Sequence, residues 1–433
     1  MIWAPNVEQA DRTTIEQKQL TGLQDTVKRV YDNVPYYRNK LDELGIKPED
    51  IKRLSDVQKL PFTVKDDLRA HYPFGLLAVP MKQVNRIHAS SGTTGSSTVV
   101  AYTKEDLENW SECIARLVTM AGGSDEDIAQ IAFGYGLFTG GFGLHYGLEK
   151  VGAEVVPMSS GNTKRQIQLL QDFGTTLLIC TPTYAMYMAE VAEAQGVDLR
   201  KLPIRMAMVG GEGHTEELRA QLQEKWGMSV TENYGLSEVM GPGVAGECLE
   251  KNGMHINEDH FLVEIIDPDT GEVLPEGEKG EVVITTLTKQ AQPLLRYRTR
   301  DLSMITYEPC PCGRTTARLH KIMGRSDDML VIRGVNVFPS QIEKILLSTP
   351  GLGANYEIIV TTENFMDKVE VMVEVADVSL LEQYKELEVL KKKLRAAIKT
   401  DCLIDTQITL CNPMTLKRFE GKAKRVQDLR KKD

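Results

Sequence analysis

The chain has 433 residues, room for about two to four domains of roughly 150 residues and for at least one large core. Hydrophobic residues make up 42% and charged residues 26%, with 18 prolines, which excludes a disordered, collagen-like or disulfide-scaffold chain. Lysine and arginine number 51 against 61 acidic residues, and the net charge of -10 sets a mean field against polyanions, so no nucleic-acid partner is expected.

Met1–Glu8 carries no basic region followed by an apolar run, so no secretory signal is read and a cytoplasmic protein is expected. Leu20, Leu23, Val27 and Val30 share one helical face that Asn33-Val34-Pro35 ends, which predicts a helical lead-in over residues 1–82. From about Gln83 to Lys321, short apolar runs at 128–133, 154–157, 176–180 and 204–209 alternate with amphipathic stretches. This alternation predicts an α/β domain, placed at 83–326, with its functional residues at strand ends. The longest uncharged stretch, Ala129–Leu148, holds six glycines with Gln130 and His145, so it reads as buried strand and loop, and no membrane partner is expected. After Gly324 the elements are fewer and longer. Ser340-Gln-Ile-Glu343 reads as a capping box opening a helix, Val369, Val371, Val373 and Val375 alternate as a strand, and an amphipathic helix runs from about 380 to 399. Residues 327–433 are therefore expected to form a small α+β domain.

Several segments carry chemistry. Ser90, Ser91, Gly92, Thr93, Thr94 and Gly95 combine backbone freedom with four hydroxyls, a composition that suits a polyphosphate and equally a Ser/Gly linker; the Gly-Lys-Ser/Thr ending of a Walker A loop is absent. Asn233, Tyr234, Gly235, Leu236, Ser237 and Glu238 offer an aromatic face, a glycine, a hydroxyl and a carboxylate able to hold Mg²⁺, or simply a tight turn after a strand. Asp301, in Tyr297-Arg-Thr-Arg-Asp301, can accept from a diol or belong to a surface salt-bridge cluster. Lys422 lies in a basic tail whose ordinary explanation is a solvated end.

In this order, Ser90–Gly95, Val209-Gly-Gly211-Glu212-Gly213, Tyr234–Glu238, Arg296–Asp301, Gly324–Asp328 with Arg333–Pro339, and Glu420–Arg425 resemble the adenylate-forming superfamily of acyl-CoA synthetases, specifically its phenylacetate–CoA ligase branch. The resemblance covers nearly the whole chain. It implies a large N-terminal domain of mixed sheets and helices and a small mobile α+β C-terminal domain. It also implies an ATP-dependent, AMP-forming ligase that joins an aryl acid such as phenylacetate to coenzyme A through an acyl-adenylate.

Position by position, the resemblance puts the β and γ phosphates of ATP on Ser90–Gly95 and Mg²⁺ on Glu238. Adenine stacks on Tyr234 near Gly211, Glu212 and Gly213, the ribose lies on Asp301, and Lys422 meets the charge that develops at the α-phosphate. Asp327 is the hinge on which the small domain swings, Arg325 beside it is a further nucleotide contact, and Lys65 a further phosphate candidate. Two departures stand out: Ser96-Ser97 where relatives commonly carry Lys-Pro, and Leu416-Lys-Arg-Phe419 before the tail lysine instead of Leu-Pro-Arg-Ser. The acid pocket is read from Phe133–Gly141, where glycines such as Gly140 and Gly141 leave room and Tyr135 and Phe138 supply flat walls; taken singly, these aromatics are ordinary core residues.

Cys248, His255, Cys310 and Cys312 form a three-thiol, one-imidazole set suited to a structural Zn²⁺ closed at four ligands, and some members of the branch share the Cys and Cys-x-Cys pattern; the alternative is two free thiols with Cys248 and His255 unrelated to them. Cys113, Cys180, Cys402 and Cys411 read as isolated buried thiols. A homodimer is expected from the resemblance alone. Two other readings stay open: an adenylating enzyme that loads a carrier-protein thiol, and a catalytically silent nucleotide-binding relative.

Overall fold

The computed structural model describes residues 1–90, 97–363 and 366–430, so Ser91–Ser96, with most of the hydroxyl-rich loop, lie outside the described residues. The chain divides into two compact units. The first comprises 1–180, 202–211 and 229–322, and the second 181–201, 212–228 and 323–433.

The first unit is built on a nine-stranded sheet. Five strands run parallel in the spatial order Glu154–Val156, Ile128–Ile131, Leu177–Cys180, Met206–Gly210 and Ser229–Leu236. Gly241–Glu247, Met254–Ile256, Arg318–Leu319 and Ile305–Thr306 extend it antiparallel. Leu177–Cys180 and Met206–Gly210 are buried at every residue, as expected of strands covered on both faces. Ile128–Ile131 has its successor Glu154–Val156 on one side and Leu177–Cys180 on the other, so the strand order reverses there. The crevice beyond the carboxyl end of such a reversal is where open α/β sheets bind ligands, and Phe133–Gly141 leaves the sheet at that end.

The predicted loop within Ala129–Leu148 is corrected: Thr139–Val151 is a helix. Local propensity argues against it because of its glycines, and packing decides the matter. A Cβ at Gly143 would lie 2.2 Å from the Trp110 ring and one at Gly147 2.1 Å from Ile114, so the glycines let this helix lie close on Lys104–Met120. Asp11 caps the helix Arg12–Asn33, which buries Leu23, Val27 and Val30, and Pro35 begins the next helix, Pro35–Glu43.

In the second unit, Pro182–Ala194 and Glu216–Trp226 join a four-stranded sheet ordered Gln407–Cys411, Met366–Val375, Leu352–Glu363 and Val426–Asp428. Val369, Val371 and Val373 face the core with Ile342, Leu346, Leu394 and Ile398 of the helices Pro339–Leu347 and Tyr384–Cys402. The predicted capping box is off by two residues. Pro339, with its preset φ, opens the helix after Phe338, and Gln341 Oε1 accepts from the Phe338 N–H at 2.9 Å. Ser340 is already helical, and its Oγ donates to the Met323 carbonyl instead. Cys113, Cys180 and Cys402 are buried, whereas Cys411, on the outermost strand, is only half-buried.

Candidate active site

In the first unit, the carboxyl ends of parallel strands carry Gly211 and the segment Asn233–Glu238 among the predicted nucleotide residues. Ser229–Leu236 runs into Ser237 and Glu238, and Gly235 is required by the tight pairing that follows: a Cβ there would lie 2.1 Å from the Gly241 carbonyl oxygen. Tyr234 Oη donates to Asp301 Oδ2 at 2.7 Å, so the residues expected at adenine and ribose are already joined. Asn233 Nδ2 donates to the Val209 carbonyl at 2.9 Å, which fastens the segment to the strand leading to Gly211. Lys65 Nζ lies 3.0 Å from Glu238 Oε1, and Glu238 is 7% exposed. Sequence named both residues without connecting them. Thr139 Oγ1 and Ser237 Oγ are 2.9 Å apart, a contact that sequence reasoning missed and that the shared enrichment in glycine and hydroxyls does hint at.

Ser90 is the described root of the hydroxyl-rich loop. Its N–H donates to the Thr98 carbonyl and its Oγ accepts from Thr98, closing the hairpin Arg86–Ala89 with Val99–Tyr102. Ala89 N–H donates to the Leu137 carbonyl at 2.9 Å, and Tyr102 Oη to the Met240 carbonyl at 2.7 Å. The hairpin that bears the loop is therefore tied to both the segment Phe133–Gly141 and the turn after Glu238.

Of the two aromatic residues predicted to wall the acid pocket, Tyr135 is half-buried and Phe138 exposed. Tyr135 packs edge-to-face on Phe142 at 5.2 Å between centroids, and its Oη meets His145 Nδ1 at 3.1 Å. A Cβ at Gly141 would approach the Tyr135 ring to 3.2 Å, so that glycine gives Tyr135 its place. Phe138 is 44% exposed, with Gly140 beneath its ring. Phe142, unnamed from sequence, sits among Tyr135, His88 and Tyr146. Burial holds the His88 imidazole below its ordinary pKa, so it is neutral and its Nδ1–H donates to the Leu137 carbonyl.

The second unit carries Glu212, Gly213, Arg325, Asp327 and Lys422. Lys422 is exposed. The residues on either side of it are held: Thr181 Oγ1 donates to the Gly421 carbonyl at 3.2 Å, and the Ala423 N–H to Glu212 Oε2 at 2.8 Å. The other Glu212 oxygen accepts from the Thr183 N–H. Gly213 follows Glu212 directly. Arg325 forms a two-point pair with Asp327, at 2.8 and 2.9 Å.

The four predicted metal-ligand residues converge, with their donor atoms all within 4.8 Å of one another. Cys248 Sγ and Cys310 Sγ are 3.8 Å apart, matching the roughly 3.8 Å expected of two sulfurs each about 2.3 Å from a tetrahedral Zn²⁺. His255 Nε2 lies 3.4 Å from Cys312 Sγ while its Nδ1 meets Thr316 Oγ1, an outer partner that orients the ring. Burial, reinforced by Arg314 and Arg318, pushes the His255 pKa down to about 3, leaving a neutral imidazole suited to a metal. The donor set fits a closed structural zinc site.

Comparison with known proteins decides the family. A family profile described as AMP-binding enzyme matches residues 26–288, and AMP-binding enzyme C-terminal domain matches 334–430. Phenylacetate-coenzyme A ligase of Aromatoleum evansii is 46% identical, over 99% of this chain and 97% of its own. The chain belongs to the AMP-binding enzymes, in their phenylacetate–CoA ligase branch. Phenylacetate-coenzyme A ligase of Escherichia coli is likewise 46% identical, over 98% of this chain and 97% of its own. The crystal structure of 2-hydroxyisobutyryl-CoA ligase in its postadenylation state, in complex with R3-HIB-AMP, superposes with a TM-score of 0.92 at 28% identity, covering 98% of this chain and 91% of that one. Membership in this branch gives the reaction class: an ATP-dependent, AMP-forming acid–CoA ligase that works through an acyl-adenylate. Among the described residues no helix is long and apolar enough to cross a membrane.

Proposed function

We propose that the acid is phenylacetate or a close aryl relative. The observation that carries this reading is the full-length similarity to phenylacetate–CoA ligases, and the Tyr135–Phe142 wall at the sheet's reversal point supports it. In the first half-reaction a carboxylate oxygen attacks the α-phosphorus of ATP and pyrophosphate leaves. In the second, the coenzyme A sulfur attacks the acyl carbonyl, the thiol proton is released and AMP leaves.

Ser90–Gly95 cradle the β and γ phosphates with Lys65, and Glu238 holds Mg²⁺ beside them. Tyr234 presents its ring to adenine alongside Asn233, Gly211, Glu212 and Gly213, and Asp301 accepts from the ribose. Gly235 and Ser237 complete the phosphate-facing turn. Lys422 places its ammonium on the charge that builds at the α-phosphate, so catalysis is positioning plus electrostatic stabilisation. Arg325 adds a contact to the nucleotide, and Asp327 is the hinge about which the small domain, 327–433, moves relative to 83–326 with its lead-in 1–82. Tyr135, Phe138, Gly140 and Gly141 line the acid pocket, where small differences in apolar fit are worth about 1–3 kcal/mol and set the preference among aryl acids. Cys248, His255, Cys310 and Cys312 hold a structural Zn²⁺, and the enzyme works in the cytoplasm as a homodimer.

An acid panel, scored by mass for the coenzyme A thioester, tests this reading. Phenylacetate should give the highest kcat/KM, with short aliphatic acids at least about tenfold lower. A preference for aliphatic acids, or acyl transfer only to a carrier-protein thiol, would overturn it.

A further inference from the structure

Arg418, four residues before the tail lysine, sits between two carboxylates. Its side chain is 10% exposed. Nη1 and Nη2 donate to the two oxygens of Glu374 at 2.8 and 2.7 Å, the forked geometry that makes an arginine–carboxylate pair strong. Glu374 is 3% exposed at its side chain and also accepts from the Leu416 N–H at 2.7 Å. Nε reaches Glu190 Oε2 at 2.8 Å, Nη1 also donates to the Leu416 carbonyl at 2.9 Å, and Asn355 Nδ2 reaches Glu190 Oε1 at 2.7 Å.

The two carboxylates are held unequally. Glu374 lies on the strand Met366–Val375, in the same C-terminal profile region as Arg418, and receives both ends of the fork. Glu190 lies on the helix Pro182–Ala194, inside the AMP-binding profile region, and receives one arginine N–H and one amide. The same helix is preceded by Thr181, whose hydroxyl holds the Gly421 carbonyl next to Lys422. Burial holds the Glu190 carboxyl above its ordinary pKa despite Arg418. At Glu374 the upward push of burial is outweighed by Arg418 and backbone donors, and the carboxyl sits below its ordinary value. A carboxylate whose burial is incompletely offset makes a tie that separates at little net cost.

We propose that Glu190 is a releasable latch: through Arg418 and Asn355 it holds the tail in the position that presents Lys422 for adenylation, and it lets go while Arg418 stays with Glu374 when the small domain swings for thioester formation. The inference rests on the two-step acid–CoA reading above, and Glu190 is a positioning residue in it, touching neither substrate nor reacting atoms. Weakening the latch shifts the population away from the adenylating arrangement without changing the chemistry of either step.

The test uses the full chain with Glu190→Gln and, separately, Arg418→Lys, which keeps a cation beside Glu374 and removes Nε. Exchange of labelled pyrophosphate into ATP with phenylacetate reports adenylation, and turnover of synthetic phenylacetyl-adenylate with coenzyme A reports thioester formation. In both variants exchange should fall by about tenfold, with thioester formation equal to or faster than that of the parent. Equal losses in both half-reactions would mean that the contacts only support the fold, and no loss in either would mean that they hold nothing; each result overturns the latch and leaves the acid–CoA reading standing. Thioester formation by the parent without any pyrophosphate exchange would instead remove the two-step reading, and the latch with it.

Discussion

The two units handle charge differently. In the first, the residues proposed at the nucleotide are already joined to partners: Tyr234 to Asp301 at 2.7 Å, Lys65 to Glu238 at 3.0 Å, Ser237 to Thr139 at 2.9 Å, with Lys65 exposed and its carboxylate partner buried. In the second, the lysine assigned to the transition-state charge is exposed, and it is its neighbours Gly421 and Ala423 that are held. The result is a division of labour. In the proposed function, the binding groups would be pre-organised by these contacts, so little reorganisation would be needed when substrate arrives, while the lysine that completes catalysis would ride on a segment that leaves.

Lys422→Ala should strike this division hardest. Pyrophosphate exchange should fall by about a hundredfold or more, with turnover of supplied acyl-adenylate retained. A variant that adenylates as fast as the parent would break the division at its centre. Metal removal comes next and acts on stability alone. One zinc per chain should be found by elemental analysis, and chelation should lower the Tm by roughly 5–10 °C, from about 4 kcal/mol of ligand-linked stability. Cys312→Ser should reproduce the shift with little change in kcat for the folded enzyme. Tyr234→Phe keeps the ring and removes the bond to Asp301, so the KM for ATP should rise by about five- to tenfold with kcat nearly constant.

A smaller change concerns Lys289, whose ammonium lies 3.2 Å from the centroid of the Tyr102 ring and whose pKa burial pushes down to about 7. The unfolded chain keeps that proton up to about pH 10.4. Between these values the unfolded state binds the extra proton, so stability rises with pH, and below about pH 7 the destabilisation is present in full. Lys289→Met should therefore raise the Tm by a few degrees at about pH 6 and by progressively less as the pH approaches about 10. A gain that grows with pH would count against this.

Much of the fold was legible because its signals are local. Buried parallel strands such as Leu177–Cys180 and Met206–Gly210 are short apolar runs, and the alternation Val369 to Val375 gives its strand directly. The helix Thr139–Val151 was not, because its glycines oppose helix by propensity and are explained only by Trp110 and Ile114 across the contact. The site divides the same way. Tyr234 to Glu238 and the Cys310–Cys312 pair stand out by composition, and the metal set's geometry followed the residues named. The partnerships did not stand out: Lys65 with Glu238, Phe142 with Tyr135 and Glu190 with Arg418 become neighbours only through the fold. Nothing in the local sequence around one member of such a pair marks the other.

Activation of the acid at the α-phosphorus of ATP underlies every role assigned above. Supplying phenylacetate labelled with ¹⁸O in its carboxylate, and weighing the nucleotide product, decides it. AMP carrying one labelled oxygen, with unlabelled pyrophosphate, is the expected outcome. Label in inorganic phosphate, with ADP as the product, would refute activation at that phosphorus.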